Sequence, residues 1–229
     1  MTGIDEKIAA WEHICRVYAD YAATLDLACQ RGCAACCTTN VVITGLEAWL
    51  IANYLDRQNR PDLFEVMRAA ADEPRPQPRQ TLNSLAAAWS RGEDPPAGDD
   101  PDMGRPCPLL TNNECPIYPA RPFACRCLVS LSDCRGRGYA RVEPFTITVG
   151  QVMQQYLEHV DLGGVTGNML DLVPALENRA RREQYAAGDI TGFNGDFEIN
   201  SPATVLLAGP EERQSLAPIL AALNRTGEA

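Results

Sequence analysis

The chain has 229 residues, and its 45% of hydrophobic side chains is enough for a core in one domain or in two small ones. Thirty acidic residues against twenty basic ones give a formal charge of -10, which argues against general binding to nucleic-acid phosphates. Nineteen of the basic residues are arginine and only Lys7 is lysine, so enzymes that need a Schiff-base or phosphate-loop lysine are disfavoured.

The N-terminal segment lacks the apolar region and cleavage site of a secretion signal, and no apolar run reaches the roughly 18 residues of a membrane span. We therefore expect a cytoplasmic protein without membrane contact. In that reducing compartment the ten cysteines stay thiols unless a metal binds them, whereas disulfide frameworks belong to small secreted domains. This reasoning favours metal binding over disulfides.

The clearest predicted element is a first helix from Ile4 to Cys29. Its apolar residues alternate between spacings of four and three, as on one stripe of a helix: Ile4, Ile8, Trp11, Cys15, Tyr18, Ala22, Leu25 and Cys29. Gly32 then ends the helix. At about 1.5 Å per residue, Cys15 would lie roughly 21 Å from Cys29, too far to share a metal. Cys15 is therefore expected to pack as a small hydrophobic residue.

The other predicted elements are mostly helices. Thr44 and Glu47 form a capping box that begins a second helix, which ends near Asn59. Further helices are predicted over residues 61–72, 79–90, 146–160, 168–185 and 210–224. A proline-rich linker covers 73–79, a flexible connection 91–106, an irregular segment 183–202, and short strands 40–43 and 204–207.

The predicted class is mainly α, a helical domain whose cysteine-rich metal-binding loops join two sequence-distant segments. We expect a cysteine-cluster metal-binding domain over residues 1–145. A C-terminal helical extension over residues 146–229 is expected to pack on it.

The cysteines themselves fall into two groups along the chain. Four lie within nine residues, and five follow about seventy residues later: Cys29, Cys33, Cys36 and Cys37, then Cys107, Cys115, Cys125, Cys127 and Cys134. Thiolates select zinc and iron, the latter often in iron–sulfur clusters, and each site needs about four of them. These nine residues are enough for one site with spares or for two sites with one left over. Cys36 and Cys37 are adjacent, so either they bind two metals or one binds and the other packs.

The order of these segments resembles a known family. Cys29 precedes Cys33-Ala-Ala-Cys36-Cys37, and Cys107-Pro-Leu-Leu, Cys115-Pro-Ile-Tyr and Arg121-Pro-Phe-Ala-Cys125-Arg follow. Together they are similar to the CxxCxxCC zinc- or iron-chelating cysteine-cluster family, also called the YkgJ family, over about residues 29–135.

The resemblance implies zinc or iron, including an iron–sulfur cluster, bound by these cysteine thiolates: Cys29, Cys33, Cys36, Cys37, Cys107, Cys115 and Cys125. Cys29 departs from the family motif, because three residues separate it from Cys33 where the motif has two. Cys127 and Cys134 fall outside the pattern. Arg121 and Arg126 are candidates for offsetting the charge of about -2 that a zinc tetrathiolate carries.

The alternative function is an iron–sulfur-dependent enzyme of methyl-transfer or redox type, because the flagellin lysine methylases have similar cysteine segments. The glycine-rich residues 160–167 superficially match a methyltransferase nucleotide loop. Such a loop needs a strand before it, whereas a helical pattern precedes this one, so a helix end and a turn are the simpler interpretation. A weaker alternative is a metal-organised interaction module, whose protein partner the sequence does not identify.

Overall fold

A computed structural model describes residues 3–70, 73–94, 96, 105–135, 139–193 and 197–225 of the protein. The protein is 50% helical and only 6% strand, which confirms the mainly α class. Most of the connection predicted over residues 91–106 lies outside the described residues, as do the last two residues of the helix predicted over 61–72.

Helix α1 (Ile4–Ala22) buries Ile14, Val17 and Tyr18 but ends seven residues before Cys29. The predicted end at Cys29 is therefore wrong. Beyond the helix the chain extends toward a later loop, where the Ala28 N–H donates to the carbonyl of Ser130 at 2.9 Å. The distance argument that separated Cys15 from Cys29 fails with it, because it assumed an unbroken helix.

Helix α2 (Gly45–Arg57) begins as predicted, with Thr44 as its N-cap and Glu47 completing the capping box. Helix α3 (Asp62–Ala70) follows, and helix α4 (Leu82–Ser90) begins after Thr81, whose hydroxyl accepts a hydrogen bond from the Ser84 N–H. These caps are interactions between near neighbours, so the sequence pattern could predict these helix starts closely.

The second half of the chain adds five helices within the described residues: α5 (Phe123–Cys127), α6 (Pro144–Val160), α7 (Met169–Ala175), α8 (Arg179–Ala186) and α9 (Arg213–Leu223). The helix predicted over 168–185 is in fact two helices. Asn168 caps the first of them, as expected, and Asn178 caps the second by accepting a hydrogen bond from the Ala180 N–H at 2.8 Å. Helix α6 begins at Pro144, earlier than predicted.

Three short antiparallel strands form a sheet in the order β1 (Val42–Thr44), β2 (Val165–Asn168) and β3 (Glu198–Ile199). Val42 pairs with Asn168, and Val165 pairs with Ile199. Strand β1 corresponds to the strand predicted at 40–43, whereas the segment at 204–207 is not a strand. The sequence does not predict strand β2, because its partners β1 and β3 are distant in the chain.

The buried hydrophobic side chains of the described residues form two clusters. The first core lies among α2, α3, α7 and the sheet, and the second core lies among α1, α5, α6 and α9. Elements from both sides of residue 145 contribute to each core and to the sheet. The division into domains at residue 145 stays a prediction.

A buried carboxylate at the end of α6 joins several elements. Asp161 is 0% exposed and accepts hydrogen bonds from the Tyr185 hydroxyl at 2.5 Å and from the N–H of Leu46, Nζ of Lys7 and Nδ2 of Asn200 at 3.1 Å each. The only lysine of the chain is thus an ion-pair partner of a buried acid. This network connects α1, α2, α8 and the end of β3 to α6.

Candidate metal centre

The first cysteine segment is a series of tight turns between α1 and β1. Gly32 has a φ of +83°, a conformation that glycine adopts without strain. The Cys33 N–H donates to the carbonyl of Gln30 at 3.0 Å, and the Cys37 N–H donates to that of Ala34 at 3.1 Å. These turns hold four thiols within one short loop.

The second cysteine segment docks on the first through backbone hydrogen bonds. The Thr39 N–H donates to the carbonyl of Arg105 at 2.7 Å, and the Cys107 N–H donates to the carbonyl of Cys37 at 2.9 Å. Seventy residues separate Cys37 from Cys107 in sequence. This pairing brings the two sequence-distant segments together, as the fold prediction expects.

A turn between Cys107 and Cys115 reverses the chain. Thr111 and Glu114 exchange backbone hydrogen bonds of 3.0 and 2.9 Å, while Asn112 and Asn113 have φ values of 52° and 63°. Asparagine tolerates this left-handed conformation better than most residues. The turn lets both flanking cysteines line the same cavity.

Glu47 positions the helix that carries Cys125. Its carboxylate is buried and accepts hydrogen bonds from the N–H groups of Phe123 at 2.7 Å and Thr44 at 3.0 Å and from the indole of Trp11 at 3.3 Å. Burial raises the pKa of this carboxyl, and the hydrogen bonds oppose that rise. One side chain therefore fixes α1, α2 and α5 relative to each other.

Ser130 fixes Cys29 on the other side of the site. The Ser130 N–H donates to the Cys29 sulfur at 3.2 Å, and its carbonyl accepts from Ala28. Cys29 thus lies in a loop and is held by Ser130, whereas the sequence predicts it at the end of a helix. It holds the loop after α1 against the segment that leads from α5 to Cys134.

These segments enclose a cavity of about 470 Å³ where the two cores meet. All ten cysteines are free thiols, and nine of them line it: Cys15, Cys29, Cys33, Cys36, Cys37, Cys107, Cys115, Cys125 and Cys134. All seven predicted ligands are in this set. No three His, Cys, Asp or Glu side chains of the described residues lie close enough to hold one ion as they stand. Binding by three or more thiols therefore requires the loops to draw together.

Cys36 and Cys37 interact directly. The Cys36 thiol donates a hydrogen bond to the Cys37 sulfur, which lowers the pKa of Cys37 and raises the pKa of Cys36. Burial raises the pKa of the Cys107, Cys115 and Cys125 thiols. Cys37 is therefore the thiol of its neighbourhood that ionises most readily.

The two candidate arginines play different parts. Arg121 lies 4.0 Å from the ring centre of Tyr118, and its charge opposes the burial-driven rise in the pKa of Cys115. Within the described residues its buried Nε has no hydrogen-bond partner. Arg126 instead donates to the backbone carbonyls of Arg121 at 2.9 Å and Pro119 at 3.2 Å. Arg121 thus fits the expected role beside the thiols, whereas Arg126 stabilises the loop.

Cys134, like Cys127, falls outside the family pattern. It is only 5% exposed, lines the cavity and is hydrogen-bonded with Cys33. Its spacing from Cys125 and Cys127 gave no signal. The signal that could have found it is its position in the arginine-rich segment that closes the cysteine region.

Cys15 and Cys127 pack against the second core. Burial raises the pKa of each to about 12, so both stay protonated near neutral pH. Cys15 thus behaves as the expected small hydrophobic residue, although it also lines the cavity. The histidines contact other parts of the chain, with His13 at 3.0 Å from the carbonyl of Ala222 and His159 accepting from the Ala203 N–H at 3.4 Å.

Comparison with known proteins gives one match. Residues 28–136 match the model of the CxxCxxCC family, described as a "putative zinc- or iron-chelating domain". The matched segment contains every cysteine except Cys15. No curated protein and no solved structure matches the chain. Among the described residues, no helix combines the length and the apolar character that crossing a membrane requires.

Proposed function

We propose, from the premise that residues 28–136 are a CxxCxxCC domain, that the protein binds zinc or iron in its cysteine-lined cavity. The proposed ligands are the seven cysteines that the motif indicates: Cys29, Cys33, Cys36, Cys37, Cys107, Cys115 and Cys125. The observation that carries the proposal is that thiols from both cysteine segments line one cavity.

The chemistry of the cavity wall fits a thiophilic metal. Among the described residues that line it, no Asp, Glu or His accompanies the thiols. Hard cations such as Mg²⁺ and Ca²⁺ prefer oxygen ligands, whereas thiolates select zinc and iron. Arg121 and Arg126 also line the cavity, and the charge of Arg121 beside Cys115 would offset that of bound thiolates.

The metal would cross-link the two cysteine segments. A zinc ion with four thiolate ligands is structural, because no position remains for water or substrate. Iron in a cluster would add electron transfer or redox sensing. In either case metal binding would also stabilise the folded state, because the unfolded chain has no preformed site.

Anaerobic purification followed by metal and sulfide analysis tests the proposal. We expect stoichiometric zinc in a colourless protein, or iron with inorganic sulfide in a brown one. Chelation is expected to lower the thermal midpoint, since a ligand at about 100 times its Kd adds about 2.7 kcal/mol to stability. A chain that binds neither metal after reconstitution under reducing conditions would contradict the proposal.

A second candidate is an iron–sulfur-dependent enzyme of methyl-transfer or redox type. The observation that favours it is the apolar wall beside the thiols, which Ala19, Ala22 and Leu27 help to form and which leaves room for a second molecule. The glycine-rich segment gives it no support, because α6 precedes Gly163 and β2 follows it, the reverse of a nucleotide loop. Stoichiometric zinc with no iron would exclude this candidate.

The compartment and the excluded partners are part of the proposal. A reducing cytoplasm suits a cavity lined by free thiols, and the charge of -10 opposes nucleic-acid binding. A metal ion is the partner proposed for the cysteine cavity, and no protein partner is assigned.

A further inference from the structure

Building on the proposed metal binding, we infer that eight cysteines form two adjacent four-thiol centres, divided between Cys36 and Cys37. The first centre comprises Cys29, Cys33, Cys36 and Cys134. The second centre comprises Cys37, Cys107, Cys115 and Cys125. This assignment adds Cys134 to the ligands and fixes the number of centres at two.

The second centre forms where the two segments dock. The backbone of Cys107 is hydrogen-bonded to that of Cys37 at 2.9 Å. The Cys37 thiol interacts electrostatically with the thiols of Cys125, Cys107 and Cys115. The Cys125 thiol in turn interacts with those of Cys107 and Cys115. These four residues come from three separate segments of the chain and interact electrostatically, and metal binding would draw their thiols together.

The first centre forms around Cys33 and Cys36. Cys33 and Cys134 are joined by a side-chain hydrogen bond, and Cys134 also interacts electrostatically with Cys36. The Cys29 thiol interacts with those of Cys36 and Cys33. The hydrogen bond from Ser130 holds the Cys29 sulfur in place at 3.2 Å. Cys29, Cys33 and Cys36 supply three thiols of the first centre, because Cys37 belongs to the second. Cys134 therefore supplies the fourth.

The contact between Cys36 and Cys37 places the two centres next to each other. Their side chains are hydrogen-bonded to each other, yet the further thiol neighbours of Cys37 all belong to the second centre. Adjacent residues in a tight turn direct their side chains differently, so each reaches a different set of thiols. The two centres are therefore adjacent and are joined by one peptide bond.

The two cysteines outside the centres have a separate role. Cys15 and Cys127 pack against the second core, and the Cys127 thiol interacts electrostatically with that of Cys15 and with that of Cys125, its neighbour in the second centre. All ten cysteines are thereby assigned. Each centre has the four thiolates that a closed zinc site or a four-iron cluster requires, and its thiol protons leave to solvent when metal binds.

Metal stoichiometry in alanine variants tests this division. The wild-type chain is expected to hold about two zinc ions, or about eight irons if four-iron clusters form. Cys134→Ala and Cys115→Ala are each expected to halve that content, and the double variant is expected to lose it. Cys127→Ala is the matched control, because it removes a buried thiol of the same region and should keep the full content.

Cobalt titration provides a second measurement that does not depend on native metal loading. Cys134→Ala and Cys115→Ala should each bind half as much Co²⁺ as the wild type, with the same thiolate charge-transfer intensity per ion, whereas Cys127→Ala should bind as much as the wild type. Circular dichroism checks the fold, and Cys29→Ala replaces Cys134→Ala if the latter does not fold. One metal equivalent in the wild type, or unchanged content in both Cys134→Ala and Cys29→Ala, would overturn the two centres while leaving metal binding intact. A wild type that binds no thiolate metal would overturn the proposed function itself.

Discussion

The carboxylate of Glu47 accepts a 2.7 Å hydrogen bond from the backbone N–H of Phe123, the first residue of the helix that carries Cys125. The same carboxylate completes the capping box of α2. A local helix-start signal in the sequence is therefore also a long-range contact that positions the metal-site loop.

Replacing Glu47 by alanine is expected to lower the free energy of unfolding by about 2–4 kcal/mol, because it leaves buried N–H donors of Phe123 and Thr44 without an acceptor. Chemical denaturation of the metal-free protein measures this loss. Glu12→Ala, at an exposed position of α1, is the control and should stay within about 0.5 kcal/mol of wild type. Equal stability of the two variants would contradict the role of Glu47.

Cys37 is expected to be alkylated faster than Cys107 and Cys125 in the metal-free protein. The hydrogen bond from Cys36 lowers the pKa of the Cys37 thiol, and the thiolate is the reactive form. Limiting iodoacetamide followed by peptide mass spectrometry measures the order, and Cys15 and Cys127, with pKa values of about 12, should react more slowly than Cys37.

The variant Cys36→Ala tests whether the hydrogen bond from Cys36 lowers the pKa of the Cys37 thiol. Loss of the donor destabilises the Cys37 thiolate, so its pKa rises and half-maximal labelling moves to higher pH. Cys127→Ala removes a thiol that does not donate to Cys37 and should leave that midpoint unchanged. An unchanged midpoint in Cys36→Ala would show that the hydrogen bond does not control the ionisation of Cys37.

Arg121→Met is expected to weaken zinc binding about tenfold. Without the guanidinium the pKa of the Cys115 thiol rises further, so protons compete more strongly with the metal. The loss should stay constant while the pH is below the pKa of the Cys115 thiol, which burial raises, and should shrink as the pH rises above that pKa, as measured by competition with a chromophoric chelator. Arg179→Met changes an exposed arginine and serves as the control. A loss that does not shrink above that pKa would point to disrupted packing on Tyr118 instead.

Tyr185→Phe is expected to destabilise the fold by about 1–3 kcal/mol, because it removes the hydroxyl that donates to the buried Asp161. Thermal or chemical denaturation measures the change, with metal affinity expected to stay near that of wild type. Tyr139→Phe tests the same substitution at a position that is 65% exposed and should have little effect. Equal stability of both variants would show that Asp161 finds another donor.

Helix starts and the chemistry of the cavity could be predicted from the sequence with good accuracy. Thr44 and Glu47 signal α2, and Asn168 signals α7, because capping is an interaction between residues that are near in sequence. The end of α1 could not be predicted, because apolar spacing continues to Cys29 while the loop is drawn toward Ser130. Strand β2 was missed for a related reason, since its partners β1 and β3 are distant in the chain.

The sequence by itself determined the donors: clustered thiols, arginines around them and a chain charge that disfavours nucleic acid. Their spacing indicated a resemblance to the CxxCxxCC family, whose model matches residues 28–136. Only the tertiary structure decided that Cys37 lies beside Cys107, that Cys134 lies beside Cys33, and that Cys15 borders the same cavity. Those pairings depend on how α1, α2 and α5 pack around Glu47, and packing between distant segments leaves no periodic trace in the sequence.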